Sequence, residues 1–415
     1  MAYSEKAKSF YDNELKSIRG NGLFKEERYI KSPQAAQIKV EYPLGSPQKE
    51  VINLCANNYL GLSSHPEVVK AAHKGLDERG FGMSSVRFIC GTQDIHRELE
   101  HKLSEFLYTE DSILFPSCME ANAALFEVLL DKDDAMISDR LVHASIVDGM
   151  RLSKAQLFNY KHSNMAHLEE KLQETQTCRF RMIITDGVFS MDGDIAKLSE
   201  ICQLAEKYDA MVMVDDSHAS GFVGKTGRGT HEHCGVLNRI DAITTTLGKG
   251  LGGAAGGCIS GKKEIVELCR QRARPYLFSN AVPPAVIAAS IKVLELISKS
   301  TDRRDKLERN TMYFREKITK AGLDIKEGIH PIVPVMLYNA KLAQDVARDM
   351  YAEGIYVVGF FFPVVPQGQA RIRTQISADH EIHHLDKAIA AFTKVGEKYK
   401  ILGKKKDDII AMYGQ

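Results

Sequence analysis

No stretch of this 415-residue chain approaches the ~20 consecutive apolar residues that a membrane span needs, so no transmembrane segment is expected. Net charge is also missing. Fifty-five basic side chains stand against 54 acidic ones, a formal charge of +1. That balance gives no footprint for nucleic acid or an anionic membrane. The one basic run, Lys404-Lys405-Lys406, is answered at once by Asp407-Asp408 and reads as a solvated tail. The eight cysteines form no C-x-x-C pair and no zinc-finger spacing. No structural metal site is expected, and reduced thiols point to a cytoplasmic protein. The N-terminal MAYSEKAKSFYDNELKS lacks an apolar core, so no secretory signal is expected. There is no internal repeat and no low-complexity segment. What is present, 44% hydrophobic and 26% charged residues, suits a globular enzyme of about two domains.

Short apolar runs alternate with helical patterns from about residue 65 to 280. SILF (112–115) precedes a helix from Cys118, and AMIS (135–138) one from His143. RMIIT (181–185), AMVMV (210–214) and AITTT (242–246) are further strands. They are apolar or β-branched without alternation, as strands buried on both faces are. The pattern predicts an open, mainly parallel α/β sheet with its working residues at the carboxyl strand ends. Expected units are an N-terminal arm (1–60), a large domain (61–285), a smaller α+β domain (286–403) and a loose tail (404–415). Two helices (284–297 and 301–321) open the smaller domain, and its last helix is expected from Asp379.

One lysine, Lys249, sits in the glycine-rich run TTTLGKGLGGAAGGCISG (244–261). A phosphate loop is excluded by spacing, because Ile243 and Gly250 stand where Gly and Ser/Thr are required. GKGLGG fits a dinucleotide fingerprint formally, which leaves a nicotinamide oxidoreductase as a rival. The following AAGGCISG is poor helix material, and that fingerprint needs a helix. The other strand ends supply a third reading. AMVMV runs into Asp215-Asp216-Ser217-His218, RMIIT into Asp186, and SILF into a helix N-terminus at Cys118. An amine, a carboxylate, a histidine, hydroxyls and an anion nest together suit pyridoxal phosphate (PLP).

The sequence resembles the PLP-dependent α-oxoamine synthases, fold-type-I enzymes, over about residues 10–400. The resemblance rests on INLCANNYLGL (52–62), GFGMSSVRFICGTQDIHRELE (80–100), ISDRLVHASIVDG (137–149), TDGVFSMDGDIA (185–196), VMVDDSHASGFVG (212–224), TLGKGLGGAAGG (246–257), RPYLFSN (274–280) and GQARIRTQ (368–375). Departures are Gly250, where alanine is expected, and a longer C-terminal tail. The resemblance implies an aspartate-aminotransferase-like fold with a mainly parallel seven-stranded sheet. It implies condensation of glycine with acetyl-CoA to 2-amino-3-oxobutyrate and CoA, and the reverse cleavage in threonine catabolism. A threonine dehydrogenase would then be a functional partner. Sibling activities remain open, with another amino acid or a longer acyl-CoA, as in serine palmitoyltransferase or 8-amino-7-oxononanoate synthase. A non-catalytic homologue serving as a dimer partner is disfavoured, because the reactive residues are all present.

The same resemblance assigns roles. Lys249 would bond the cofactor aldehyde and move the substrate Cα proton. Asp215 would face the ring nitrogen, His218 the phenolic oxygen, and His143 the ring face, also bordering the substrate. Amides of Cys118 and Met119, with the Thr246 hydroxyl, would hold the phosphate, and Ser190 would lie near the ring. Ser279 and Asn280 would reach the phosphate across a homodimer interface. Asn57 and Arg373 would bind the substrate carboxylate. Strand alternation places Arg371 and Arg373 on one face, so spacing alone does not choose between them. Asp216 should point to the other face as a structural residue, and His65, His96, His231 and His233 read as ordinary histidines.

Overall fold

The computed structural model describes residues 3–20 and 23–414. Helix α1 (Glu5–Gly20) opens the chain and buries none of its residues. Strands β1 (Tyr29–Ile30), β2 (Gln37–Glu41) and β3 (Lys49–Asn53) follow. Helices α2 (Pro66–Arg79) and α3 (Asp94–Leu107) lead into the main sheet. There, β4 (Asp111–Phe115), α4 (Cys118–Leu129), β5 (Ala135–Asp139), α5 (Ala144–Leu152), β6 (Gln156–Tyr160), α6 (Met165–Glu174), β7 (Arg181–Asp186), α7 (Leu198–Lys207) and β8 (Met211–Asp215) alternate. A short α8 (Thr230–His233), β9 (Ala242–Thr246) and β10 (Gly257–Gly261) complete the sheet, flanked by α9 (Lys263–Arg272) and α10 (Arg274–Phe278).

The strand order is β4-β10-β9-β8-β7-β5-β6, seven strands of which β10 alone runs against the direction of the other six. The glycines after Lys249 therefore turn the chain back into a strand, not into the helix a dinucleotide site needs. Every residue of β7 is buried. Alternation explains this: Met182 and Ile184 enter one core with Phe126, Ile146 and Val266. Ile183 enters a second with Leu172, Ile201 and Val212. Helices cover both faces.

The carboxyl ends of β7, β8 and β9 lie together, with Asp186 opposite Asp215 and Asp215 opposite Thr244. Gly257 at the start of β10 faces both Phe115 and Thr246. Four strand ends thus share one edge. A Cβ on Gly257 would come 2.4 Å from the Cys118 nitrogen, so this approach requires glycine.

The C-terminal part contains α11 (Pro284–Lys299), α12 (Asp302–Lys320), β11 (Ile332–Tyr338), α13 (Ala340–Ala352), β12 (Ile355–Tyr356), β13 (Gly359–Phe360), β14 (Ala370–Gln375), α14 (Ile382–Lys398) and α15 (Lys406–Tyr413). One core joins it to the rest, from Leu54 and Tyr59 to Ile332 and Ile372. The arm's β3 pairs in parallel with β12. Two expectations need correction. The helix expected from Asp379 starts at Ile382, because Ser377 and His380 hold a turn through Asp379 N–H···Ser377 Oγ (3.1 Å) and Ser377 N–H···His380 Nδ1 (3.0 Å). The segment expected as a loose tail contains α15. Its Ile409 is 1% exposed, and its Tyr413 hydroxyl donates to the Tyr399 carbonyl at 2.7 Å. Eight helical residues are too few to persist alone, so that packing holds them.

Candidate active site

Asp215 closes β8, 5% exposed. Its Oδ1 accepts the Ser217 amide at 3.0 Å and its Oδ2 the Asn122 amide nitrogen at 2.7 Å. Asp216 turns away, as alternation requires, and accepts the Thr230 hydroxyl (2.5 Å) and the Ser220 hydroxyl (3.1 Å). Lys249 follows β9 by three residues and is half-buried. Burial lowers its pKa, while the charges of Asp215 and Asp186 oppose that shift. An amine short of its full basicity is a better nucleophile at neutral pH.

Helix α4 begins at Cys118 because Ser117 caps it, its hydroxyl accepting the Glu120 amide at 3.1 Å. The amides of Cys118 and Met119 lie in that first turn, where N–H groups have no intrahelical acceptor. The Thr246 hydroxyl donates to the Gly256 carbonyl at 3.2 Å and accepts the Gly248 amide at 3.0 Å. It thereby shapes the turn that carries Lys249. Asp186 Oδ1 accepts the His143 amide at 3.1 Å. His143 caps α5, its Nδ1 accepting the Ser145 amide at 3.2 Å. Its ring has an exposed side, yet partial burial lowers its pKa. His218 is 6% exposed and held far below the usual histidine range, by burial first and then by Lys249 and Arg373.

Arg371 and Arg373 do lie on one face of β14, and both reach the segment after β7. Arg371, 1% exposed, pairs with Asp192 and donates to the Met191 carbonyl at 3.1 Å. It is consumed. Arg373 Nη1 donates to the Ser190 carbonyl at 3.0 Å, while its Nε is buried with no hydrogen-bond partner. Asn57 Oδ1 is buried and unpartnered too. Burying such groups without partners is costly, so a ligand that pairs them would be favoured there. Ser279 donates to Glu120 Oε1 at 2.9 Å, which ties its segment to α4 of the same chain, and Asn280 is exposed.

Three residues with site contacts escaped the sequence reading: Asn122 on Asp215, Tyr59 on His218 Nδ1 (2.8 Å), and His330 on the His218 carbonyl (2.8 Å). Only the helical spacing of Asn122, one turn after Cys118, gave any signal. His96 and His231 are satisfied core histidines bonded to the Val282 and Leu107 carbonyls. A less basic amine, a paired carboxylate, an open helix turn, an unpartnered guanidinium N–H on Arg373 and an unpartnered amide oxygen on Asn57 form a set of donors and acceptors that fits PLP and an amino acid.

The aminotransferase class I and II family model matches residues 49–392. The 2-amino-3-ketobutyrate coenzyme A ligase of Salmonella typhimurium is 55% identical over 392 residues, 94% of this chain and 97% of the relative. This chain belongs to the aminotransferase class I and II family, among its α-oxoamine synthases. The mitochondrial 2-amino-3-ketobutyrate coenzyme A ligase of Homo sapiens is 53% identical over 94% of this chain and 92% of its own. A solved structure of SPT with a PLP internal aldimine superposes with a TM-score of 0.88, at 26% identity over 95% of this chain and 99% of that one. The seven-stranded, mainly parallel sheet is thus the fold of a PLP-dependent transferase.

Proposed function

We propose that this chain is a PLP-dependent glycine C-acetyltransferase. It condenses glycine with acetyl-CoA to 2-amino-3-oxobutyrate and CoA, and runs the reverse cleavage in threonine breakdown. The observation that carries the reading is the half-buried Lys249 amine under the fields of Asp215 and Asp186, in a fold whose Arg373 Nε and Asn57 Oδ1 lack partners. Bound PLP supplies an aldehyde that condenses with amines and an electron-poor ring that stabilises negative charge at the substrate Cα.

The chain's own groups do the rest. Lys249 holds the cofactor at rest, then takes and returns the Cα proton. Asp215, its rotamer fixed by Asn122 and the Ser217 amide, keeps a proton on the ring nitrogen. His218 would donate to the cofactor's phenolic oxygen, and His143 would cover the ring face and border the substrate. The Cys118 and Met119 amides and the Thr246 turn would hold the phosphate, with Ser190 near the ring. Arg373 offers its planar guanidinium to the substrate carboxylate, with Asn57 as second donor. Arg371 is removed from that role by its pairing with Asp192.

A second copy completes the site through Ser279 and Asn280. Phe81, Phe88, Ile89, Met119 and Phe278 are exposed by 55–88%. The Val86–Asn280 bridge and the Ser279–Glu120 bond gather their segments into one area that a homodimer would cover. The described residues contain no helix long and apolar enough to cross a membrane. All eight cysteines are unpaired, which supports a cytoplasmic location. A dehydrogenase acting on threonine would supply the ketoacid.

The test is thiol release by holoenzyme offered glycine, serine or alanine with acetyl-, palmitoyl- or pimeloyl-CoA. Glycine with acetyl-CoA should be fastest, and Lys249→Ala should abolish turnover. Preference for serine with palmitoyl-CoA, or for alanine with pimeloyl-CoA, would move the chain to a sibling activity.

A further inference from the structure

Tyr59 is fully buried, and its hydroxyl lies 2.8 Å from His218 Nδ1. Which atom carries the shared proton follows from counting donors and acceptors. The hydroxyl has no other hydrogen-bond partner among the described residues. Were Nδ1 protonated, it would donate to the phenol, and the phenol hydrogen would be buried with nowhere to go. Such a group costs on the order of 1–3 kcal/mol. With the hydroxyl donating instead, every group in the pair is used. Burial raises the Tyr59 pKa, so the phenol keeps its proton at any working pH.

His330 constrains the same histidine from the backbone side. Its Nδ1 accepts the Ile332 amide at 3.0 Å, so its proton resides on Nε2, which donates to the His218 carbonyl at 2.8 Å. Burial pushes the His330 pKa down to about 3, so that ring is neutral. Tyr59 packs against both histidines, its ring centroid 6.1 Å from His218 and 5.8 Å from His330, and it lies 4.5 Å from Phe222. The charged groups acting on His218 are Lys249 and Arg373, with the His143 and His330 rings, and all disfavour a second proton.

We infer that Tyr59 is a positioning residue that fixes His218 as the neutral Nε2–H tautomer, with His330 holding its backbone, so that His218 presents a donor and never an acceptor to its ligand. A free histidine populates both tautomers, and the Nδ1–H form would turn a lone pair toward whatever lies beyond Nε2. A ligand oxygen carrying negative charge is then favoured, and a protonated one is not. PLP enters this inference only as the oxygen-bearing ligand of the proposed function.

The decisive measurement uses cofactor-free protein, so it stands apart from the proposed activity. Histidine-specific 15N labelling with His218→Asn for assignment should show His218 Nδ1 in the pyridine-like range and Nε2 in the pyrrole-like range, unchanged from pH 8 down to 5.5. Tyr59→Phe, which keeps the packing, should shift the Nδ1 signal toward an unbonded, tautomer-averaged value. In holoenzyme the same variant should lower kcat about tenfold and move the glycine KM less than twofold, as loss of one hydrogen bond to a ligand-orienting group would. A protonated Nδ1 in the native protein, or an unmoved signal in Tyr59→Phe, overturns the assignment. Correct signals with unaltered kcat would reduce Tyr59 to a packing residue.

Discussion

Asn122 donates its amide to Asp215 Oδ2 at 2.7 Å. The same nitrogen lies 2.9 Å from Ser145 Oγ, which in turn meets His143 Nδ1 at 2.7 Å. One side chain therefore links the Asp215 carboxylate, through Ser145, to the His143 ring. Removing it in Asn122→Ala leaves a buried carboxylate short of a donor. The expected result is a loss of about tenfold in kcat and weaker PLP retention, since a bond to a charged group contributes roughly 1.5–3 kcal/mol. Asn122→Asp should be worse, because two carboxylates would then face each other. Titration of apo-protein with PLP and steady-state turnover check both; wild-type values in Asn122→Ala would show that Asp215 needs no such support.

The two arginines of β14 should separate cleanly. Arg373→Lys loses the planar fork and should raise the glycine KM by about tenfold or more with little change in melting temperature. Arg371→Lys breaks a buried pair with Asp192 and should lower the melting temperature while sparing the glycine KM. Exchanged phenotypes would reverse the assignment.

Gly250 departs from the alanine expected by resemblance, and its surroundings explain the departure. A Cβ there would lie 2.7 Å from the Ser220 carbonyl oxygen and 2.9 Å from Phe222 Cδ1. Gly250→Ala should destabilise by about 1–3 kcal/mol, as overpacking does, and displace the neighbouring Lys249. Calorimetry and the PLP absorbance spectrum report the two effects; an unchanged melting temperature would mean that the loop relaxes freely.

His162 sits outside the site, 3.2 Å from both oxygens of Asp139 and 3.5 Å from Asp194. Burial opposes its charge, but bonds to the two carboxylates win and raise its pKa to about 9. The folded pKa lies above the unfolded one. Its stabilisation is therefore complete below about pH 6.5 and disappears as pH rises through about 9. Denaturant midpoints should fall between pH 7 and 10 in the wild type and fall less in His162→Gln. Parallel curves would assign the pH dependence to other groups.

Five of the seven sheet strands were legible because burial on both faces leaves a clear mark: AITTT is β9 residue for residue, and RMIIT lacks only Asp186 of β7. Strand β6, with only Tyr160 buried, and the glycine-bounded β10 carried no such mark. Lys249 and Asp215 were legible because strand ends in such sheets converge. Asn122, Tyr59 and His330 were not. Their partners lie 93, 159 and 112 residues away, and no local spacing encodes such a meeting. Helix α15 was hidden for a similar reason, since Ile409 and Tyr413 gain their value only against distant segments.

The linear order of residues by itself determined the layered sheet, the edge at which chemistry collects, and the amine and carboxylate that meet there, because periodicity and strand-end position are local properties. Tertiary structure decided which arginine is consumed by a buried pair and which tautomer His218 holds. Each of those depends on a donor or acceptor brought from far along the chain into a space where water cannot substitute for it.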